Sequence, residues 1–400
     1  MESIARAFAS PYEAESATLP ALVALRVFER TRKTVLSAID PQASDAAGIM
    51  IAAIAPPASG TWKPELGMVS HALEQQPMLA ALQFILAFHH DPFEFTCTLE
   101  REGSIFLDGH VVSVAGDVHV LATEGMLTLR SQAGDASFGT RHGRKVLADS
   151  LPLLLPPDAD GQGFYMMAPV SSARPAIFPD PLAPAHSLSG DMTTSTTLVE
   201  AFATLDATRG AYGTWVRGAL AGACMVPKGN DVAATSPRFP GLVALPCGMD
   251  RLDYIEVLVV AACHQRLCQL ALVMNLGAAG REEVQYVPAR RSYLTSRRAL
   301  TAAHEHINVL LALESVEAEG AERRDLERRI ERRRLMLATD CLPILDTSDI
   351  LSEGGAELWR RLKTCLEDHG DDRVHDVISL VEPAGNESVG PQILVAGVAT

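Results

Sequence analysis

The sequence predicts an α+β fold, mainly helical in its C-terminal half, with a small antiparallel β-rich region in its N-terminal half. Three observations carry that expectation. Apolar residues recur at helical spacing near the N-terminus and in several segments beyond residue 250; the period falls to two between residues 93 and 146; and a Pro-rich stretch lies between these regions.

The elements follow in order. Leu19–Ile39 reads as an amphipathic helix, with Leu22, Val23, Leu25, Val27 and Phe28 interleaved with Arg26, Arg30 and Lys33. Leu66–His89 reads as a second helix, ending at His89-His90, where an imidazole suits the helix C-terminus and its carbonyls. Phe93 and Phe95, Ile105 and Leu107, Val112 and Val114, Val118 and Val120, and Leu127 and Leu129 then alternate as strands, with Asp108-Gly109 as a hairpin turn. Residues 151–190 (PLLLPPDADG, SSARPAIFPDPLAP) suit an extended connection, because proline cannot continue a helix or a central strand. Thr193–Ala223 reads as a helix that breaks near Gly210 and Gly213, and Phe239–Leu245 as a short buried strand closed by Pro246 and Gly248. The apolar run from Asp250 to Met274 is too long for an ordinary strand and reads as a buried helix. Helices follow over Ser296–Leu313, Glu322–Leu337 and Glu353–Glu367; the Arg run of the second alternates with Glu and reads as a solvated, ion-paired face. The expected organisation is a helical and β-hairpin region over 1–150, the connection 151–190, a helical domain 191–370 and a tail 371–400.

A chain of 400 residues with 48% hydrophobic content can bury one large core or two medium ones, and its length allows about two to three domains. A net charge of −15 argues against bulk attraction to nucleic acid or to an anionic membrane. The first residues have neither a basic nor an apolar leader segment, and no run is long enough to cross a bilayer, so a cytoplasmic protein is expected. Seven scattered cysteines without a CxxC pair indicate reduced thiols. Phosphate-binding glycine loops and the GxSxG nucleophile elbow do not occur.

The chemistry-bearing constellation is Glu256-Val-Leu-Val-Val-Ala-Ala-Cys-His264-Gln-Arg-Leu-Cys268, followed by His304-Glu305-His306. His264 and Cys268 stand at i and i+4 on one helical face, a spacing that lets both touch one metal, with His304 a third ligand from the next helix. With His264 as the last position instead, Val260 and Ala261 stand where an HExxH motif has its first His and its Glu. The same residues fit a hydrogen-bonded core histidine and small buried thiols. Arg290, Arg291, Arg297 and Arg298 form a cluster suited to carboxylates, or an ion-paired loop.

The run FPGLVALPCGMDRLDYIEVLVVAACHQRL resembles the HExxH-type peptide β-hydroxylases of ribosomal-peptide natural-product pathways, in which a PGLV-type strand leads into a helix of the form E-x-L-V-H-E-x-x-H. Glu256, Leu258, Val259, His264 and Leu267 match the pattern. In YVPARRSYLTSRRALTAAHEHINVLLAL, Tyr286, Pro288 and Arg290 match the family's Y-x-P-W-R segment, with Ala289 at the Trp, and His304 matches a later His. The resemblance spans residues 239–365 and makes 191–370 an HExxH-like domain. It implies binding of a peptide or natural-product intermediate, and hydroxylation by iron and 2-oxoglutarate if activity is kept, with His264, Cys268 and His304 at the metal and Arg290 or Arg297 on a carboxylate. The replacements at Val260 and Ala261 depart from that pattern. Two further readings stay open: a haem protein using His264-x-x-x-Cys268, and a cofactor-free scaffold with a protein partner.

Overall fold

A computed structural model describes residues 2–13, 15–39, 45–56, 62–108, 110–141, 144–147, 164–166, 192–226, 234–235, 239–276, 284–287, 292–346 and 351–370. The Pro-rich connection, apart from 164–166, and the tail from 371 lie outside the described residues, as do Arg290 and Arg291.

In chain order the elements are α1 (Glu2–Ala9), α2 (Thr18–Ala38), α3 (Asp45–Ala53), α4 (Pro64–Gln75), α5 (Pro77–Phe88), β1 (Phe93–Leu107), β2 (His110–Ala122), β3 (Met126–Ser131), β4 (Gly134–Arg141), β5 (Arg144–Leu147), β6 (Tyr165–Met166), α6 (Met192–Ala207), α7 (Tyr212–Arg217), β7 (Gly222–Val226), β8 (Ala234–Thr235) and β9 (Leu242–Pro246). There follow α8 (Arg251–Ala271), β10 (Val284–Val287), β11 (Ser292–Thr295), α9 (Ser296–Glu314), α10 (Gly320–Met336), a π-turn at Leu337–Cys341, α11 (Leu342–Leu345) and α12 (Glu353–His369). The fold is α+β. It divides into two compact units, one of Met1–Pro20, Glu200–Val216 and Arg251–Thr400, the other of Ala21–Val199 and Arg217–Asp250. The units are not consecutive stretches like 1–150 and 191–370, because α1 packs on α12 and α8, which draws the N-terminus into the C-terminal unit.

The second unit holds an antiparallel sheet in the order β1-β2-β3-β4-β5. Its core is hydrocarbon: Phe28 lies 5.2 Å from Phe84 and 5.0 Å from Phe88, ring centre to ring centre, and the inward side chains Val114, Val118, Val120, Leu127 and Leu129 close on the helices. The expected single helix Leu66–His89 is instead α4 and α5, broken where Pro77 lacks an N–H and holds Gln76 extended (φ −160°, ψ 139°). The break frees the Gln76 side chain, which donates to Arg101 O at 2.8 Å and accepts from Glu100 N at 3.1 Å, where the β1–β2 register shifts. Gly103 ends that bulge; a Cβ there would stand 2.5 Å from Leu79 Cδ2. Buried Gln83 similarly accepts from Phe106 N and donates to Phe106 O, so two glutamines serve main-chain groups on the unpaired edge of β1. His89 is the α5 C-cap, its backbone N–H donating to Ile85 O.

A second sheet, ordered β6-β7-β9-β8, was not foreseen; β6, β7 and β9 run parallel and β8 antiparallel. It corrects the expected helix Thr193–Ala223. That helix ends early, with α7 at Arg217, and the segment GACMV pairs along β9 as a strand, because tertiary pairing outweighs the helix preference of alanine.

Candidate functional site around helices α8 and α9

The site's scaffold is a pair of packed helices, α8 and α9. On α8, Leu258, Val259, Ala262 and Cys263 are wholly buried and Ala261 nearly so, which is why β-branched residues are tolerated in this helix: burial on most of its circumference outweighs their weak local preference. Thr295 caps α9, its hydroxyl accepting from Arg298 N.

His264 faces α9 and its Nε2 lies 2.6 Å from Glu305 Oε1, with the two side chains 36% and 19% exposed. Burial pushes the Glu305 carboxyl up, but the hydrogen bond with His264 and the neighbouring imidazoles outweigh it and leave it below the usual range, so Glu305 is ionised at neutral pH. Cys268, one turn beyond His264, is half-buried; burial raises its thiol while Arg297 partly offsets this. A raised thiol is protonated at neutral pH and is a poor nucleophile or ligand. Arg297 and Arg298 are exposed on the first turn of α9.

His304 belongs to another environment. It is fully buried, and its Nε2 donates to Phe8 O at 2.9 Å and Ala9 O at 3.1 Å, the last carbonyls of α1. Asn308, one turn on, donates to Ala9 O and accepts from the Tyr212 hydroxyl. These side chains cap a helix end that would otherwise bury unpaired carbonyls, at a cost of about 1–3 kcal/mol each. Burial pushes His304 down to about 4, so the ring is neutral.

The expected metal set is therefore not brought together. His264 is engaged by Glu305, His304 by the α1 carbonyls, and the Cys268 thiol is protonated; among the described residues no group of three His, Cys, Asp or Glu is placed to hold a metal ion. As arranged, these donors do not fit the iron that the resemblance implies. Glu305 was missed as the partner of His264; its position beside His304 in the sequence gave no sign of which neighbouring helix it would face.

Glu256 and the Arg run need a second correction. Glu256 accepts from Arg329 at 2.9 Å and from Arg333, Asp253 accepts from Arg329 at 2.6 Å, and Arg334, 3% exposed, pairs with Glu314 at 2.7 Å. One face of α10 is thus an ion-paired seam to α8 and α9, while Arg323 and Arg328 stay on the solvated face. Alternating charge revealed the pairing but not that half of it runs between helices.

No described helix is long and apolar enough to cross a membrane. No protein-family model matches the chain, and no curated protein matches it.

Proposed function

We propose that this chain is a diverged HExxH-type peptide-modification protein that binds a peptide or natural-product intermediate along the accessible edge of the α8–α9 pair, in the cytoplasm. The observation that supports this reading is the His264–Glu305 pair, in which an ionised carboxylate holds an imidazole at a partly open position, with Arg297 and Arg298 exposed on the first turn of α9. An imidazole fixed by a carboxylate presents a defined edge for hydrogen bonding, and guanidinium groups prefer carboxylates, so a peptide rich in Asp or Glu is the preferred class.

The test is metal analysis and an absorption spectrum on untagged protein purified without chelator, joined to titration with acidic synthetic peptides. Peptide binding that weakens by tenfold or more in both Arg297→Ala and His264→Ala is the expected result, about 1.4 kcal/mol each. Stoichiometric iron lost in His264→Ala, with 2-oxoglutarate turnover, would restore the oxygenase; a Soret band would replace it with the haem reading. Failure to bind any acidic peptide would overturn the binding function and leave a scaffold.

A further inference from the structure

We propose that Arg266 and Trp215, beside His304, form an internal site for one small monovalent anion, a halide or a formate-sized carboxylate. Trp215 lies at the centre of this group. The Arg266 guanidinium carbon sits 5.7 Å from the Trp215 ring centre and the His304 ring 6.3 Å from it, nearly edge-on. The three residues are 2%, 4% and 0% exposed respectively for Arg266, Trp215 and His304. Each leaves one buried polar atom without a hydrogen bond among the described residues: Arg266 Nε, Trp215 Nε1 and His304 Nδ1.

The chemistry of those atoms selects the ligand. Arg266 donates from Nη2 to Trp215 O at 3.2 Å and more weakly from Nη1 to Gln269 Oε1 at 3.4 Å; both acceptors are neutral, and no carboxylate among the described residues pairs with it. Burial lowers this arginine to about 10, which still leaves it positively charged at neutral pH. The Trp215 ring face offsets part of this charge, but a buried charge without a counter-charge is costly, and a water molecule would satisfy the Nε–H while supplying no negative charge. Trp215 Nε1–H is a donor only, so it too calls for an acceptor. Two donors and one net positive charge therefore specify a single negative charge, and the burial of all three side chains restricts its size. His304 Nδ1 is an acceptor, since Nε2 donates to α1; a water accompanying the anion would supply its donor.

The experiment is thermal unfolding of the full chain at constant ionic strength in chloride, bromide or formate against the bulky anion gluconate, with bromide-soaked crystals and mass analysis of small acids released on denaturation. A saturable rise in Tm of roughly 2–4 °C with the small anions, lost in Trp215→Phe, which keeps the ring but removes the donor, is expected. A bromide anomalous peak between Arg266 Nε and Trp215 Nε1 identifies a halide site, and a stoichiometric released acid identifies a carboxylate. Arg266→Leu should abolish the effect as well; if that variant does not fold, Trp215→Phe carries the test. Identical Tm in all four salts, with only water at these atoms and no acid released, would overturn the proposal. Peptide binding at His264 and Arg297 is measured separately, so either idea can fail alone.

Discussion

At the centre of the unit that holds the five-stranded sheet, Phe28, Phe84 and Phe88 stack against apolar strand residues, and its buried glutamines Gln76 and Gln83 bond the backbone of β1. The α8–α9 unit instead buries His304, Asn308, Arg266, Gln265 and Gln269 among its apolar side chains. Hydrocarbon packing is non-directional and tolerant; buried polar groups must each find a partner or cost several kcal/mol, so they fix the geometry of neighbouring elements. The contrast assigns a tolerant hydrocarbon core to the unit of Ala21–Val199 and Arg217–Asp250, and a defined polar arrangement to the unit that holds α8 and α9.

The largest effect expected from breaking that contrast is in the hydrocarbon core. Phe84→Ala should cost about 3–5 kcal/mol in urea unfolding, because a fully buried ring leaves a cavity. Acid should act on the polar unit instead. His304 ordinarily titrates near 6.5 and is held at about 4, so its contribution is complete above pH 6.5 and is lost as pH falls through 4, by about 3 kcal/mol. Hydrogen exchange between pH 7 and 4 should show this loss in α1 and α9, and His304→Gln should flatten it.

Glu65 offers the opposite sign within the unit that holds the five-stranded sheet. Burial, reinforced by Asp108, raises its carboxyl to about 6, although Oε1 accepts from Asp108 N at 2.9 Å. A raised carboxyl stabilises below its unfolded value of 4.5, and that contribution is lost as pH rises through 6. Glu65→Gln should therefore gain about 2 kcal/mol at pH 7.5 and nothing at pH 4.5, read as a pH-dependent difference in Tm. The smallest effect is expected at the α8–α10 seam. Glu256→Gln weakens partly exposed ion pairs with Arg329 and Arg333 and should cost about 1 kcal/mol, less in high salt.

How much of this was legible depended on how local each feature is. The helix over Thr18–Ala38, the hairpin strands of the first sheet and the long α8 each carry their period in their own residues, so spacing sufficed to find them. The split at Gln76-Pro77 was written in the proline but read through, because the apolar pattern continues across it. The short α1 was missed, since eight residues are too few for period alone to establish a helix, and its C-terminal carbonyls are held by α9 side chains far along the chain.

The sequence by itself determined the α+β class, most helix positions, the net negative charge and the set of residues able to do chemistry. Tertiary structure alone decided which of those residues meet. His264 and His304 share a helical environment in sequence terms, yet one pairs with Glu305 at a partly open edge and the other caps α1 in the core. A side chain's partner depends on the rotation of its helix against neighbours brought close by long-range packing, and no local spacing records that angle.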